Sequence, residues 1–252
     1  MELVKRSITG IIGIILLILV VNKGGIYLST SIFILSLIGL NEFYKAVHNT
    51  GLNPILYIGV LGTLGFYISS LTPKLTINFV FTVIIILLLT HIFAKKTTLG
   101  DIAITLIGIM YIPFMMFHIY YLDKSTSIWL IFIISFGTDT FAYIFGNLFG
   151  KRKLCPSISP NKTVEGSIGG ILGSLVLTLV FAYYMDMRSY LSLSILAIIA
   201  SISSQIGDLI ASRIKRIAKI KDYGKLFPGH GGVLDRFDSI ILTAPIIYYY
   251  VK

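Results

Sequence analysis

Ser212–Asp238 reads SRIKRIAKIKDYGKLFPGHGGVLDRFD. Seven of these residues are basic, three are aspartates, and a Pro-Gly-His-Gly-Gly turn lies among them. Apolar runs at residues 190–213 and 237–251 bound the strip on both sides. A helix needs about 20 apolar residues to cross the bilayer core, so the strip reads as a polar link between two membrane helices. The rest of the chain repeats that alternation. Of its 252 residues 56% are hydrophobic and only 13% charged, against about 25% charged in a soluble domain. Mean hydropathy is +0.89. Outside the apolar blocks no stretch exceeds about thirty residues, too short for a sizeable core of its own. Lys5 and Arg6 precede the first apolar block and no small-residue cleavage site follows it, so it is expected to be a retained helix.

The fold expected is all-α and polytopic, with about nine transmembrane helices. They are placed at 7–22, 26–47, 53–71, 76–94, 101–121, 126–149, 165–185, 190–213 and 237–251. The turn residues Asn22-Lys23-Gly24-Gly25 end the first. Pro73, Pro113 and Pro245 need not break helices, because neighbours in a membrane bundle satisfy the freed carbonyls. One membrane domain is expected over 1–252: an N-terminal helical part at 1–125, then helices and cytoplasmic loops at 126–252. Lys and Arg set the orientation. With the N-terminus in the cytoplasm, nine spans put sixteen of the 21 basic residues on the inner side, and an even number of spans would scramble that split. The plasma membrane, with the polar inner loops facing the cytoplasm, is the expected location. The net charge of +10 suits an anionic partner. Anionic membrane lipid is nearer to these charges than any nucleic acid, so no nucleic-acid partner is expected. A single cysteine, Cys155, excludes an internal disulfide and a cysteine metal cluster.

Two inner loops hold the polar chemistry, Gly150–Val164 and the strip after Lys215. Ser201, Ser204, Asp208, Ser212 and Lys215 recur at steps of three and four, so they share one helix face. A carboxylate in a membrane helix is costly, by roughly 2.5–3.5 kcal/mol at its centre. Asp208 therefore faces a cavity, a metal or a lysine. Asp139, mid-way along the 126–149 helix, needs a partner for the same reason. Asp235 and Asp238 share a face at the start of the last helix. Asp235 reads equally as a helix cap and as one of the carboxylates that hold Mg²⁺ beside substrate phosphates. That helix N-terminus is also a place for phosphate. The glycines around His230, Gly231 and Gly232 included, suit positive φ and an anion-binding nest, or simply a tight turn. In the other loop Ser157, Ser159, Asn161, Lys162 and Thr163 crowd hydroxyls, an amide and an ammonium together. The same residues before Glu165 also read as a helix start. Glu42 is expected to reach the interface, Asp101 to be a cap, and His48, His91 and His118 to form no metal site.

Several stretches now match a known pattern. Ser212-x2-Lys215-Arg216-x4-Lys221-Asp222-x-Gly224-x2-Phe227-Pro228-x-His230-Gly231-Gly232-x2-Asp235-Arg236-x-Asp238 resembles the signature of the phosphatidate cytidylyltransferases, also called CDP-diacylglycerol synthases. Upstream, Gly207-Asp208-Leu209, Asp139-Thr-Phe-Ala-Tyr143 and Ser157-x-Ser159-Pro160-x-Lys162-Thr163-x-Glu165-Gly166 are similar to other recurring stretches of that family. The resemblance covers roughly residues 135–245; many members have Glu where this chain has Ala211. It implies transfer of CMP from CTP to phosphatidic acid, with Mg²⁺, a second cation (K⁺ or another divalent) and a homodimer. Carried onto this chain, it makes Asp208 and Asp235 metal ligands, with Asp139 and Asp238 next in rank. Lys215, Arg216 and His230 join the two leading aspartates as catalytic candidates. Ser157, Ser159, Lys162, Thr163, Ser212, Lys221, Gly231, Gly232 and Arg236 become the substrate-binding candidates. Two other classes share some of these features. An anion transporter would use the intramembrane carboxylates as a pathway, but the charges collect on one side and no paired halves are visible. A CTP-dependent lipid or polyprenol kinase would transfer the γ-phosphate instead.

Overall fold

A computed structural model of the chain describes residues 2–71, 76–94 and 96–252. Pro73, named above, and Lys74 and Lys95, two of the 21 basic residues counted there, lie outside them. The chain is an all-α membrane protein with one small β-hairpin among the described residues. In order it forms α1 (Glu2–Lys23), α2 (Gly25–His48), α3 (Leu56–Leu71), α4 (Thr76–Phe93), α5 (Leu99–Tyr120) and α6 (Ile128–Phe149). Strands β1 (Lys153–Cys155) and β2 (Ser159–Thr163) follow, then α7 (Val164–Tyr184), α8 (Tyr190–Ile217) and α9 (Leu234–Val251). Among the described residues five helices, α2 and α5 to α8, are long and apolar enough to cross a membrane. Ile11, Ile15, Leu61, Phe81, Leu172 and Leu191 are among many large apolar side chains left exposed, as lipid-facing surfaces require.

Two compact units can be described separately. The first comprises residues 2–123 and Ile214–Arg236. Its buried centre includes Leu40, Phe43, Phe66, Ile109, Ile112 and Phe117. Pro113 does not end α5; a π-turn at Met110–Phe114 absorbs the missing N–H and the helix runs on. Thr98 caps α5 and Asp101 answers from the third position, a reciprocal capping box. Asp101 also accepts the Asn53 N–H at 2.5 Å, tying the α2–α3 loop to the start of α5. Asp123, after α5, accepts the Gly25 N–H at 2.8 Å. Gly24 has φ 60, and a Cβ there would strike the Asp123 carboxylate, so the α1–α2 turn requires glycine.

The second unit comprises Lys124–Arg213 and Phe237–Lys252. Its organising contact is α6 against α7. Gly166, Gly169, Gly170 and Gly173 line one face of α7. A Cβ on Gly169 would meet Phe145 at 2.3 Å, and one on Gly173 would meet Phe141 at 2.1 Å. Small residues let two membrane helices approach closely enough for dispersion to hold them together. Buried hydroxyls add to this: Thr138 and Ser201 hydrogen-bond at 2.7 Å. Where α8 meets α9, a Cβ on Gly207 would sit 2.3 Å from the Asp238 carbonyl oxygen. This glycine, directly before Asp208, is what lets the two backbones come that near.

Candidate active site

In the second unit a cavity of about 540 Å³ opens between the membrane helices and the hairpin. Pockets for small ligands commonly measure about 300–1,000 Å³, so there is room for a nucleotide. Asp139, Tyr143 and Asn147 line it from α6, Asn161, Lys162 and Thr163 from β2, and Gln205 and Asp208 from α8. The hairpin is antiparallel and pairs Lys153 with Thr163. It replaces the plain loop expected from sequence. Thr163 ends it and caps α7, its hydroxyl accepting the Gly166 N–H at 3.1 Å. Glu165 reaches back to accept the N–H groups of Lys151 and Arg152 at 3.0 and 3.1 Å. These ties fix both ends of the loop and thereby aim Lys162.

Lys162 forms an ion pair with Asp208. About a quarter of each side chain is exposed, 27% and 26%, so both stay within reach of a ligand. Ser212 donates to Asp208 at 3.3 Å, as the shared helix face demands. Asp139 accepts a hydrogen bond from Ser239 at 3.3 Å. Gln205 is held by Ser167, which donates to its carbonyl and accepts from its amide. Sequence reasoning overlooked Gln205 and Ser167, because an amide and a hydroxyl inside apolar helices have no motif of their own. Ser157 and Ser159 stand in the hairpin's connection and at the start of β2, outside the cavity lining.

In the first unit the strip folds around Asp235. One carboxylate oxygen pairs with Lys215 Nζ at 2.8 Å. The other accepts the N–H groups of Tyr223 and Gly232 at 2.8 and 2.9 Å. Asp235 is buried, and Lys215 also lies over the Tyr223 ring. Gly229 and Gly231 take the positive φ expected of them, 77 and 85. A Cβ on Gly231 would come within 2.7 Å of Asp235 Oδ2. His230 Nδ1 lies 2.9 Å from the Thr9 hydroxyl of α1, and the His230 carbonyl accepts from Arg236 Nε at 2.8 Å. Arg216, Lys219, Lys221 and Lys225 are exposed around the strip.

Two expectations need correction here. The start of α9 is not left open for a phosphate: the N–H groups of Val233 and Leu234 donate to the Glu42 carboxylate at 3.1 and 2.9 Å. Glu42 accordingly does not reach the interface. It is 6% exposed and turned into the fold, because the positive end of α9 attracts a carboxylate and α2 supplies one. His118 is buried and bonded to the Phe114 carbonyl at 2.9 Å.

The donors fit a hard cation. Asp139 and Asp208 both line the cavity, and a lysine ammonium already occupies positive-charge space beside Asp208. No cluster of three or more His, Cys, Asp or Glu suited to a metal occurs among the described residues. One or two carboxylates, completed by water and substrate phosphates, is the usual Mg²⁺ arrangement.

Comparison with known proteins gives a consistent result. The model of the Cytidylyltransferase family matches residues 4–252. A phosphatidate cytidylyltransferase of Staphylococcus haemolyticus is 36% identical, with 96% of each chain covered. Those of Staphylococcus saprophyticus and Staphylococcus aureus are 36% and 35% identical, again over 96% of each chain.

Proposed function

We infer, from the fact that the chain belongs to the cytidylyltransferase family, that it transfers CMP from CTP to phosphatidic acid. The products are CDP-diacylglycerol and pyrophosphate, and the enzyme is a nucleotidyltransferase of phospholipid biosynthesis. The observation that carries this reading to particular atoms is the Lys162–Asp208 pair in the cavity.

A phosphate oxygen of phosphatidic acid attacks the α-phosphorus of CTP. One P–O bond forms there as the bond to the β-phosphate's bridging oxygen breaks, and pyrophosphate leaves with that electron pair. The attacking oxygen is already an anion, so no strong base is needed. The obstacle is bringing two polyanions together and holding them in line. Fixed positive charge and positioning supply that, rather than a nucleophile–base pair. Lys162 lies against the cavity and neutralises phosphate there. Lys215, Arg216, Lys221 and Arg236 hold the polyphosphate or the lipid headgroup. Ser157, Ser159, Thr163 and Ser212 donate hydrogen bonds to the substrates, Gly231 and Gly232 let the turn around His230 come close to them, and His230 is placed to donate to a phosphate oxygen. Asp208 and Asp235 would be the leading ligands of a Mg²⁺ ion, with Asp139 and Asp238 in support. Such an ion, when bound, would supply charge neutralisation for the transferring phosphate and the departing pyrophosphate. A second cation, K⁺ or another divalent, would add to it.

The enzyme works as a homodimer in the plasma membrane, with nine spans and the N-terminus in the cytoplasm, where CTP is found. Contacts inside the first unit support that alternation. Thr9 near the start of α1 and Glu42 towards the end of α2 both touch the strip. The α1–α2 turn instead meets Asp123 at the end of α5. The test is reconstitution. Purified protein in vesicles containing phosphatidic acid should release pyrophosphate from CTP and form CDP-diacylglycerol only when phosphatidic acid and Mg²⁺ are both present. Pyrophosphate release without phosphatidic acid, or no lipid product, would refute the reading.

A further inference from the structure

We propose that Glu42 is the positioning residue of the strip, holding the start of α9, and with it Asp235, in the geometry that the transfer reaction uses. The proposal rests on the functional reading above. Glu42 belongs to α2 and lies nearly two hundred residues from its partners in sequence. Its two oxygens are divided between consecutive backbone N–H groups, Oε1 on Val233 and Oε2 on Leu234. The next residue is Asp235, whose own Oδ2 takes the preceding Gly232 N–H. Three successive amides at the head of α9 are therefore held by two carboxylates. The first turn of a helix leaves its N–H groups without intrahelical partners. These three amides are protein-saturated, so this helix end has no fixed donor left there for a phosphate. It acts as an anchor.

Glu42 is built into its place. It is 6% exposed, and no Lys or Arg forms a salt bridge with it among the described residues. A buried carboxylate of that kind is retained only where hydrogen bonds hold it. Two glycines make the room. A Cβ on Gly224 would come within 2.2 Å of Glu42 Oε1, and one on Gly232 within 2.3 Å of the same atom. Gly232 lies outside the positive-φ region, so the crowding by Glu42 is what calls for glycine there. Both glycines belong to the strip that carries Lys225, His230, Asp235 and Arg236. The carboxylate of α2 thus sits between the strip's two arms and sets their separation. Its effect on the reaction passes through Asp235 and the Lys215 paired to it.

The test uses the full-length protein in detergent micelles, with Glu42→Gln, Glu42→Ala, Gly232→Ala and the double variant Glu42→Ala/Gly232→Ala. In Glu42→Gln one oxygen remains, but an amide N–H₂ now faces a backbone donor. The amides of Val233 and Leu234 should exchange with deuterium at least tenfold faster, while those of the α2 interior keep their protection. Turnover should fall at least tenfold with the KM for CTP changed less than threefold, because the substrate's charge partners are intact and only their alignment is lost. Gly232→Ala should lose at least tenfold in the native background and less than threefold in the Glu42→Ala background, where the new methyl has space. Such non-additivity is the signature of direct contact between the two sites. Unchanged exchange at Val233 and Leu234 would overturn the clamp. Faster exchange with native turnover, or additive losses in the double variant, would overturn the positioning role. A native protein with no cytidylyl transfer would instead refute the functional reading, and the exchange result would still decide whether the clamp exists.

Discussion

Two aspartates on this chain carry the same proposed duty in different settings. Asp208 is about a quarter exposed, with one lysine and one serine as partners. Asp235 is buried and holds Lys215 and two backbone amides. Their variants should therefore fail differently. Asp208→Asn should lose roughly a hundredfold or more in turnover, while its thermal midpoint stays close to the native value, since water can solvate the released Lys162. Asp235→Asn should lose activity and also about 3 kcal/mol of stability, the cost of leaving a buried charge without its partner. Activity assays paired with thermal unfolding in detergent distinguish them. Near-native turnover in either variant would remove that residue from the proposed site. Asp208 was visible in the sequence because a carboxylate among Ile, Leu and Ala advertises its own cost. Glu42 was not. Its partners are backbone amides far along the chain, and no side-chain pattern signals a backbone partner.

At the level of elements, the glycines decide how near the helices come. The face formed by Gly166, Gly169, Gly170 and Gly173 packs α7 on α6, and Gly207 brings α8 against the backbone of α9. Gly207→Ala should cost about 1–3 kcal/mol by overpacking. The Asp238 carbonyl cannot move aside as a flexible side chain would, so turnover should fall as well, because Asp208 is the next residue. A variant with native stability and native turnover would show that the two helices have slack there. The helices were legible in advance, because apolar runs of membrane length interrupted by polar strips admit few other readings. The glycine face was harder to see, since glycines in a membrane segment carry no weight until the opposing phenylalanines are known. The β1–β2 hairpin was also missed. Its strands are three and five residues long and polar, so periodicity had almost nothing to register. The capping role of Thr163, in contrast, was one of the two meanings its position already offered.

For the molecule as a whole, direction in the membrane is the first issue. From the bias of Lys and Arg, the hairpin is predicted to lie in the cytoplasm and the α7–α8 turn outside. Single cysteines introduced into a Cys155→Ser background test this. Ser189→Cys, exposed beside Arg188, should react with an impermeant maleimide in intact cells. Ser157→Cys, exposed between β1 and β2, should react only after the membrane is opened. The reverse pattern would invert the topology and put the cavity on the side without CTP. Function was more legible than topology. The spacings of Lys, Asp, Gly and His over 27 residues resemble a family signature, and that resemblance implies a chemistry, whereas charge bias states only a preference.

The central claim is that CTP is cleaved between its α- and β-phosphates and that the nucleotidyl part goes to the lipid. CTP labelled at the α-phosphate, or separately at the γ-phosphate, should be given to the reconstituted protein with phosphatidic acid and Mg²⁺. The α-label should appear in the lipid and the γ-label in pyrophosphate. A γ-label recovered in the lipid, or no label there from either nucleotide, would contradict the account.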